Sequence, residues 1–186
     1  MSEGVIREGW LQGVRCEPSP NFDRRPAGTS PVLLVIHSIS LPPGEFGSDD
    51  IVALFLNRLD VARHPFFAEI RELRVSAHFL IRRDGELIQF VSCDDRAWHA
   101  GLSSWRGRER CNDFSIGVEL EGCDDIPFEE AQYASLDRLI ALLAGRYPIV
   151  AATGHADIAP GRKTDPGPYF EWGRIVRLPV DSRSVG

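Results

Sequence analysis

The chain has 186 residues, of which 43% are hydrophobic and 26% charged, a composition typical of one globular domain and not of a disordered, collagen-like or coiled-coil protein. A formal net charge of −6 argues against a broad surface for nucleic acid or anionic membranes, because such binding needs an excess of cations. Of the 21 cationic side chains, only Lys163 is a lysine and all the others are arginines.

The N-terminal segment has no apolar run typical of a secretory signal, and no apolar stretch approaches the about 20 residues that a membrane-spanning helix needs. We therefore expect a cytoplasmic protein without a membrane partner, and a monomer. The four cysteines show neither a metal-binding C-x-x-C spacing nor a disulfide framework, so we expect reduced thiols.

The first strong element is a buried strand. Residues 32–36 are continuously apolar, as in a strand buried on both faces, and they place His37 at its C-terminal end. A loop rich in proline and glycine follows. The spacing of apolar residues then predicts a helix over 49–59, with Ser48 as its N-cap.

The middle of the chain predicts a hairpin and a further strand. An Asp-Gly pair at 84–85 lies between two alternating apolar runs, which predicts a hairpin over 78–91. Residues 115–120 alternate with period two. This pattern places the apolar side chains on a core face and Glu119 and Glu121 on an open, polar face.

The C-terminal third predicts two helices separated by loops. Apolar spacing indicates a long helix that starts at Pro127 and ends near 145–148. A loop-rich block over 154–168 precedes a short helix at about 169–176, and residues 178–186 are expected to form a flexible tail. Together the elements predict an α/β (α+β-like) fold with a central mixed β-sheet flanked by helices, in a single domain over the whole chain.

Two histidines and an aspartate could form a catalytic metal site. His37, His155 and Asp165 are a standard ligand set for zinc, which leaves its fourth position to water. Two ordinary, partly buried histidines are the alternative, because sequence distance does not show that they meet. Since Pro166 favours an extended Asp165, Lys163 would face the same site and could stabilise an oxyanion. A surface lysine paired with the aspartate is the simpler alternative.

Glu119 is the candidate general base or acid, and Glu121, on the same strand face, is its competitor. A zinc-bound water has a pKa of about 7, and a nearby carboxylate could take its proton as the water attacks an amide. A solvent-facing strand edge is the alternative for both glutamates. A thiol hydrolase using Cys93 or Cys111 is a weaker hypothesis, because neither cysteine lies in a recognisable nucleophile motif.

The remaining candidates are histidines, arginines and tryptophans. We expect His78 to be a packed, hydrogen-bonded residue and His99 to line a cleft. A group of arginines and tryptophans suits a ligand with sugar faces and carboxylates, because arginine binds carboxylates bidentately and aromatic faces stack on apolar ring surfaces. A solvated, arginine-rich loop is the alternative. The group comprises Arg74, Trp98, Trp105, Arg106, Arg108 and Arg110.

Five ordered blocks resemble the 1,6-anhydro-N-acetylmuramyl-L-alanine amidases, a family within the superfamily of type 2 amidases and peptidoglycan recognition proteins. The blocks are 35–47 (VIHSISLPPGEFG), 75–78 (VSAH), 96–101 (RAWHAG), 111–122 (CNDFSIGVELEG) and 153–168 (TGHADIAPGRKTDPGP). The resemblance extends over nearly the whole chain, and such long, ordered blocks are highly specific.

The resemblance implies a mixed sheet with helices on its faces, and Zn²⁺ bound by His37, His155 and Asp165. It also implies that Glu119 activates the water and that Lys163 stabilises the tetrahedral oxyanion. The implied substrate is an anhydro-muropeptide of peptidoglycan recycling, cut between the lactyl group and L-alanine. A module that binds such fragments without cutting them is the alternative, and the retained ligand and catalytic residues favour the enzyme.

For substrate binding, the resemblance implies that Arg74 and Arg110 hold peptide carboxylates and that Trp98 and Trp105 lie near the bound fragment. Two positions depart from the family pattern. Ser38 stands where asparagine is expected after the first zinc histidine, and Trp105 stands where tyrosine is expected. Both departures would alter ligand contacts without touching the metal.

Overall fold

A six-stranded mixed sheet forms the centre of the molecule in the computed structural model, which describes residues 4–182. Smaller two-stranded pairings surround it. The strands are β1 (Ile6–Arg7), β2 (Trp10–Leu11), β3 (Arg15–Cys16), β4 (Phe22–Arg24), β5 (Leu33–Ile39), β6 (Phe79–Ile81), β7 (Leu87–Gln89), β8 (Asp95–Ala97), β9 (Ser104–Trp105), β10 (Arg108–Glu109), β11 (Ser115–Glu121) and β12 (Ala151–Gly154).

The central sheet runs in the order β12, β5, β11, β6, β7, β3. The first four strands are mutually parallel, whereas β6 and β7 form the predicted antiparallel hairpin. At the hairpin tip Gly85 has a φ of +86°, and a Cβ there would lie 2.8 Å from the Ala131 carbonyl oxygen. Only glycine fits this turn without strain, because it combines a left-handed φ with a close approach to a helix backbone.

The helices are α1 (Asp50–Phe55), α2 (Pro65–Ile70), α3 (Glu130–Arg146) and α4 (His155–Ile158), with 3₁₀ turns at Cys111–Asp113 and Trp172–Arg174. Helix α1 is shorter than expected, and its N-cap is Asp49 instead of Ser48. Helix α3 starts three residues after Pro127, because the Gln132 side chain caps it by accepting from the Glu129 N–H at 3.0 Å. None of the helices described between residues 4 and 182 is long and apolar enough to cross a bilayer.

The sheet is covered on both faces. Alternate residues of β5 and β11, such as Ile36 and Val118, pack with α3 in one apolar cluster. The intervening residues of the same strands face the opposite side, and there Val35 belongs to a separate cluster with Phe114 and Ile158. Because His37 follows Val35 by two residues, its side chain points to this second face.

The glutamate face of β11 is not open, and that expectation is wrong. All seven residues of β11 are buried, so neither face of the strand is open to solvent. Glu121 is 2% exposed; it accepts hydrogen bonds from the backbone N–H groups of Gly47 at 2.6 Å and Arg83 at 3.1 Å. Its carboxylate therefore holds two loops in place, and it is distinct in role from the buried Glu119.

The expectation of a free C-terminal tail from residue 178 needs correction for its first part. Val180 forms a parallel bridge with Ala152, and the Thr153 hydroxyl donates to the Asp181 carbonyl at 2.6 Å. The Asp181 carboxylate also accepts from the Trp105 indole N–H at 2.8 Å. These contacts attach the segment to the edge of the sheet. The last four residues, 183–186, lie outside the described part of the chain.

Candidate metal centre

Three candidate ligands meet at one end of the parallel strands. His37 lies on β5, and His155 follows directly after β12, its parallel neighbour. Asp165 lies on the loop after α4, and its carbonyl accepts from the Ala156 N–H at 2.9 Å. Because the carboxyl ends of β5 and β12 lie side by side, residues 118 positions apart in the chain come into contact.

The three ligand atoms form a compact triangle. His37 Nδ1 lies 3.0 Å from His155 Nδ1 and 3.0 Å from Asp165 Oδ2, and His155 Nδ1 lies 3.1 Å from the same oxygen. Ligand atoms around a tetrahedral zinc, at bond lengths of about 2.0–2.1 Å, lie about 3.3 Å apart. Two imidazole nitrogens and one carboxylate oxygen at this spacing fit a zinc ion, and these three residues could hold it.

The second ring nitrogen of each histidine is also engaged. His37 Nε2 lies 2.9 Å from His99 Nδ1, and His155 Nε2 lies 3.2 Å from the Ala100 carbonyl oxygen. Such outer contacts orient histidine ligands in metal sites. His99 was expected only to line a cleft, and its contact with His37 was missed. No pattern in the sequence indicates this contact, because it depends on how the loop that contains His99 folds back onto β5.

Burial sets the protonation of this cluster. It lowers the pKa of His37 to about 4, although the adjacent Asp165 carboxylate acts in the opposite direction. Burial also lowers the pKa of His99 well below its ordinary value, with the nearby histidines and Arg25 adding to the effect. Burial by itself would raise the pKa of Asp165, but its contacts with His155 and His37 prevail and lower it. The ligands are therefore a neutral His37 and an ionised carboxylate at neutral pH.

Glu119 lies beside this triangle. It is opposite His37 in the β5–β11 register, and both line a cavity of about 210 Å³. Its Oε2 atom is buried and has no hydrogen-bond partner among residues 4–182. Burial raises its pKa well above the usual range, the Asp165 charge adds to the rise, and Lys163 opposes it. A carboxylate whose pKa is raised in this way is a stronger base than an exposed glutamate, which suits a group that accepts a proton.

Lys163, Ser38 and Asp165 line this cavity and also a neighbouring one of about 410 Å³. The smaller cavity is lined by all three candidate ligands, whereas the larger one contacts only Asp165 among them. Trp98 lines the smaller cavity with Leu73. Lys163 and Asp165, which the sequence predicts to face the same site, both line these two cavities.

Three predicted substrate residues lie apart from the triangle. Trp105 lines a separate cavity of about 320 Å³, and Arg110 lines another of about 440 Å³. The exposed Arg74 guanidinium donates to the carbonyls of Arg71 and Leu73 at 3.0 and 3.2 Å. Of the predicted substrate residues, the structure brings only Ser38 and Trp98 into the cavity beside the ligands.

The cysteine hypothesis fails on geometry. Cys93 and Cys111 are completely buried, and burial raises the pKa of each thiol. Neither lines the cavities beside the ligands. His78 is packed as expected: its Nδ1 accepts from the Gly117 N–H at 3.0 Å, and its Nε2 faces the Asp95 carbonyl at 3.1 Å.

Comparison with known proteins gives concordant matches. The chain is 59% identical over 173 residues to 1,6-anhydro-N-acetylmuramyl-L-alanine amidase AmpD of Escherichia coli K12, with 92% of this chain and 94% of that protein covered. It resembles the crystal structure of a selenomethionine AmpD derivative with a TM-score of 0.88 at 57% identity, covering 91% of this chain and 96% of that one. It also resembles E. coli AmiD in complex with the substrate anhydro-N-acetylmuramic acid-L-Ala-D-γ-Glu-L-Lys, with a TM-score of 0.55 at 31% identity and coverage of 92% and 64%.

The model of one protein family also fits most of the chain. Described as N-acetylmuramoyl-L-alanine amidase (Amidase_2), it matches residues 27–168, a span that contains the ligand triangle and Glu119. The mixed sheet with helices on both faces is the fold expected for type 2 amidases, so that expectation is confirmed. With its fold, its ligand triangle and its sequence in agreement, this chain belongs to the N-acetylmuramoyl-L-alanine amidase family.

Proposed function

We propose that this protein is a zinc-dependent N-acetylmuramyl-L-alanine amidase that hydrolyses the lactyl–L-alanine amide of 1,6-anhydro-muropeptides in peptidoglycan recycling. One observation carries the proposal: two imidazole nitrogens and a carboxylate oxygen converge within about 3 Å beside Glu119, whose buried Oε2 atom has no hydrogen-bond partner among the described residues. A cytoplasmic location, a monomeric state and the absence of nucleic-acid and membrane partners stay predictions.

The substrate class is inferred from the relatives. The E. coli protein that is 59% identical is named an anhydro-muramyl amidase, and the AmiD complex contains an anhydro-muramyl tripeptide. Two neighbouring cavities that share Ser38, Lys163 and Asp165 suit a substrate whose scissile amide joins a sugar to a peptide. We assign Ser38 and Trp98 to contacts near the amide, and Arg74, Trp105 and Arg110 to contacts further along the fragment.

A zinc ion held by His37, His155 and Asp165 would polarise the amide carbonyl and lower the pKa of the attacking water. Glu119 then takes a proton from that water and returns it to the leaving amine of L-alanine. Lys163 places its ammonium group beside the developing oxyanion and stabilises it. The products are the free lactyl carboxylic acid and the free peptide amine.

The proposal is tested by incubating an anhydro-muramyl tripeptide with the zinc-loaded protein and following the products by mass spectrometry. We expect release of the intact tripeptide by the wild type and a loss of turnover of at least about 100-fold in Glu119→Gln, with zinc still bound. Glu121→Gln is the matched control, since this residue holds loops and does not face the cavity.

A fragment-binding module is the second candidate function. Such a module would hold the tripeptide conjugate without releasing the peptide. Binding without product by the zinc-loaded wild type would therefore overturn the enzyme and support the module. If Glu121→Gln abolished turnover in a folded protein while Glu119→Gln did not, the assignment of the base would be wrong.

A further inference from the structure

The buried His99 ring is in contact with His37 and with Ser115, and it has no role in the reaction described above. Its Nδ1 lies 2.9 Å from His37 Nε2, and its Nε2 lies 3.2 Å from Ser115 Oγ. The ring also lies against the backbone of strand β11. A Cβ added at Gly117 would be 2.4 Å from the ring, which explains a glycine in the middle of a core strand.

The direction of these hydrogen bonds follows from the contact between the Ser115 hydroxyl and the Cys111 carbonyl. Ser115 Oγ lies 2.6 Å from the Cys111 carbonyl oxygen, and two oxygens this close require a hydrogen between them. Only the hydroxyl can supply it, since a carbonyl only accepts. The Ser115 hydroxyl proton is thus committed to Cys111, and Ser115 Oγ must accept from His99 Nε2–H.

The proton positions on the His99 and His37 rings then follow in turn. A neutral imidazole has a single N–H, so His99 Nδ1 carries a lone pair and accepts from His37 Nε2–H. His37 Nδ1, the atom of the ligand triangle, is consequently free of a proton. If His99 Nδ1–H donated to His37 Nε2 instead, His37 Nδ1 would be the protonated nitrogen and could not bind a metal.

The same loop orients the second histidine ligand. The Ala100 carbonyl accepts from His155 Nε2–H at 3.2 Å and also from the Arg162 guanidinium at 3.1 Å. The loop is itself fixed, because Asn112 Oδ1 accepts from the backbone N–H groups of His99 at 3.2 Å and Ala100 at 2.8 Å. Two consecutive residues of one loop therefore contact both imidazole ligands.

We propose that His99 is a positioning residue for the metal centre: it accepts the Nε2 proton of His37 and thereby fixes the orientation and tautomer in which His37 Nδ1 binds the metal. This inference rests on the proposed zinc amidase function and adds a residue to it. Outer partners of histidine ligands change metal affinity by about 10–100-fold when they are removed.

The first test compares zinc affinities, measured by competition with a chromophoric chelator. His99→Leu removes the acceptor, whereas His99→Asn places a carbonyl oxygen near the former Nδ1 position. The control is His78→Asn, which alters a buried histidine 5.8 Å from His99 between ring centroids that contacts no ligand. Urea unfolding of each variant reports any loss of fold.

We expect zinc binding to weaken about 10–100-fold in His99→Leu, to recover to within about fivefold of the wild type in His99→Asn, and to change less than about threefold in His78→Asn. Three results would overturn the inference: unchanged affinity in His99→Leu, equal losses in the Leu and Asn variants, or an equal loss in His78→Asn. A merely structural role would not distinguish Leu from Asn in this way.

The second test needs no variant, so it holds even if His99→Leu fails to fold. Long-range ¹H–¹⁵N correlation spectra of the metal-free wild type report which ring nitrogen carries each proton. We expect His99 to be protonated at Nε2 and unprotonated at Nδ1; a proton at His99 Nδ1 would refute the inference. Failure of the wild type to bind zinc would instead defeat the proposed function, and the two failures are thus distinguishable.

Discussion

Glu119 combines two properties that conflict in a folded protein. Its Oε2 atom is buried and has no hydrogen-bond partner in the described part of the chain, which costs stability when the group is ionised, yet the proposed role as general base requires the ionised form. Burial and the Asp165 charge raise its pKa, whereas Lys163 lowers it. The burial that lowers the folding stability therefore also makes the Glu119 carboxylate more basic.

This conflict predicts the pH dependence of stability in the metal-free protein. Because the pKa is higher in the folded state, the ionised form destabilises the fold as the pH rises from about 4.5 through the folded pKa. Glu119→Gln should therefore unfold at a higher urea concentration than the wild type at pH 8 and show a smaller advantage at pH 5. The free-energy difference should grow by at most about 1.4 kcal/mol per pH unit.

Glu72→Gln is the control for that comparison, since this side chain is 81% exposed. Between pH 5 and pH 8, the change in the free energy of unfolding caused by Glu119→Gln should exceed the change measured for this control. If Glu119→Gln exceeded the wild type in the free energy of unfolding by the same amount at pH 5 and pH 8, the inference that burial raises the Glu119 pKa would be wrong.

Lys163 is the only lysine in a chain that otherwise uses arginine. A compact ammonium delivers its charge to one oxygen, whereas the planar arginine fork needs more room and favours bidentate partners. We expect Lys163→Arg to fold and bind zinc but to lose at least about tenfold in kcat, as measured on the anhydro-muramyl tripeptide. Near-normal kcat in this variant would show that arginine serves as well as lysine at position 163.

At the residue scale, the sequence predicted the candidate ligands better than their surroundings. His37, His155 and Asp165 could be named as ligands because few histidines are present and their chemistry is distinctive. The contacts of His99 and of the Ala100 carbonyl could not be predicted, because they depend on how a loop 60 or so residues away folds back onto β5. Periodicity carries no information on such contacts.

At the scale of elements, the segment over 178–182 shows how a short stretch near the end of the chain can attach to the sheet. Its Asp181 carboxylate accepts from the Trp105 indole at 2.8 Å and from Arg106 Nε at 2.9 Å. These bonds tie the β9–β10 hairpin to the edge beside β12. Leu178 and Val180 pack partly buried against the main core cluster, a contact that so short a segment does not reveal in the sequence.

Asp181→Ala removes both acceptor bonds and should lower the free energy of unfolding by about 1–2 kcal/mol. The control is Asp137→Ala, which breaks the exposed ion pair with Arg177 and should cost less than about 1 kcal/mol. Urea denaturation measures both. If Asp181→Ala lowered the free energy of unfolding by no more than Asp137→Ala does, the segment would not contribute to the fold as described.

For the strand elements, the period-two pattern of β11 correctly separated the side chains onto two faces but gave the wrong exposure for one of them. Alternation alone cannot tell whether a polar face meets solvent or a covered cavity. The cover here comes from segments distant in the chain, and it makes Glu119 a buried carboxyl group.

At the scale of the whole molecule, the fold class was accessible because strongly apolar and alternating segments mark the central strands and the long helix α3. The strand order was not, since periodicity does not determine which strands become neighbours. That order matters for the candidate site: it places β12 beside β5 and β5 beside β11, so that His37, His155 and Glu119 lie on adjacent strands or directly after one. Asp165 joins them from the loop after α4.

The most direct test of the zinc amidase account is a titration of the metal-free protein with zinc, in which bound metal and the rate of tripeptide release are measured on the same samples. We predict negligible release without metal and a rate that rises linearly to a plateau at one zinc per chain. Full turnover by protein shown to contain no metal, or one equivalent of bound zinc without any release, would contradict the account.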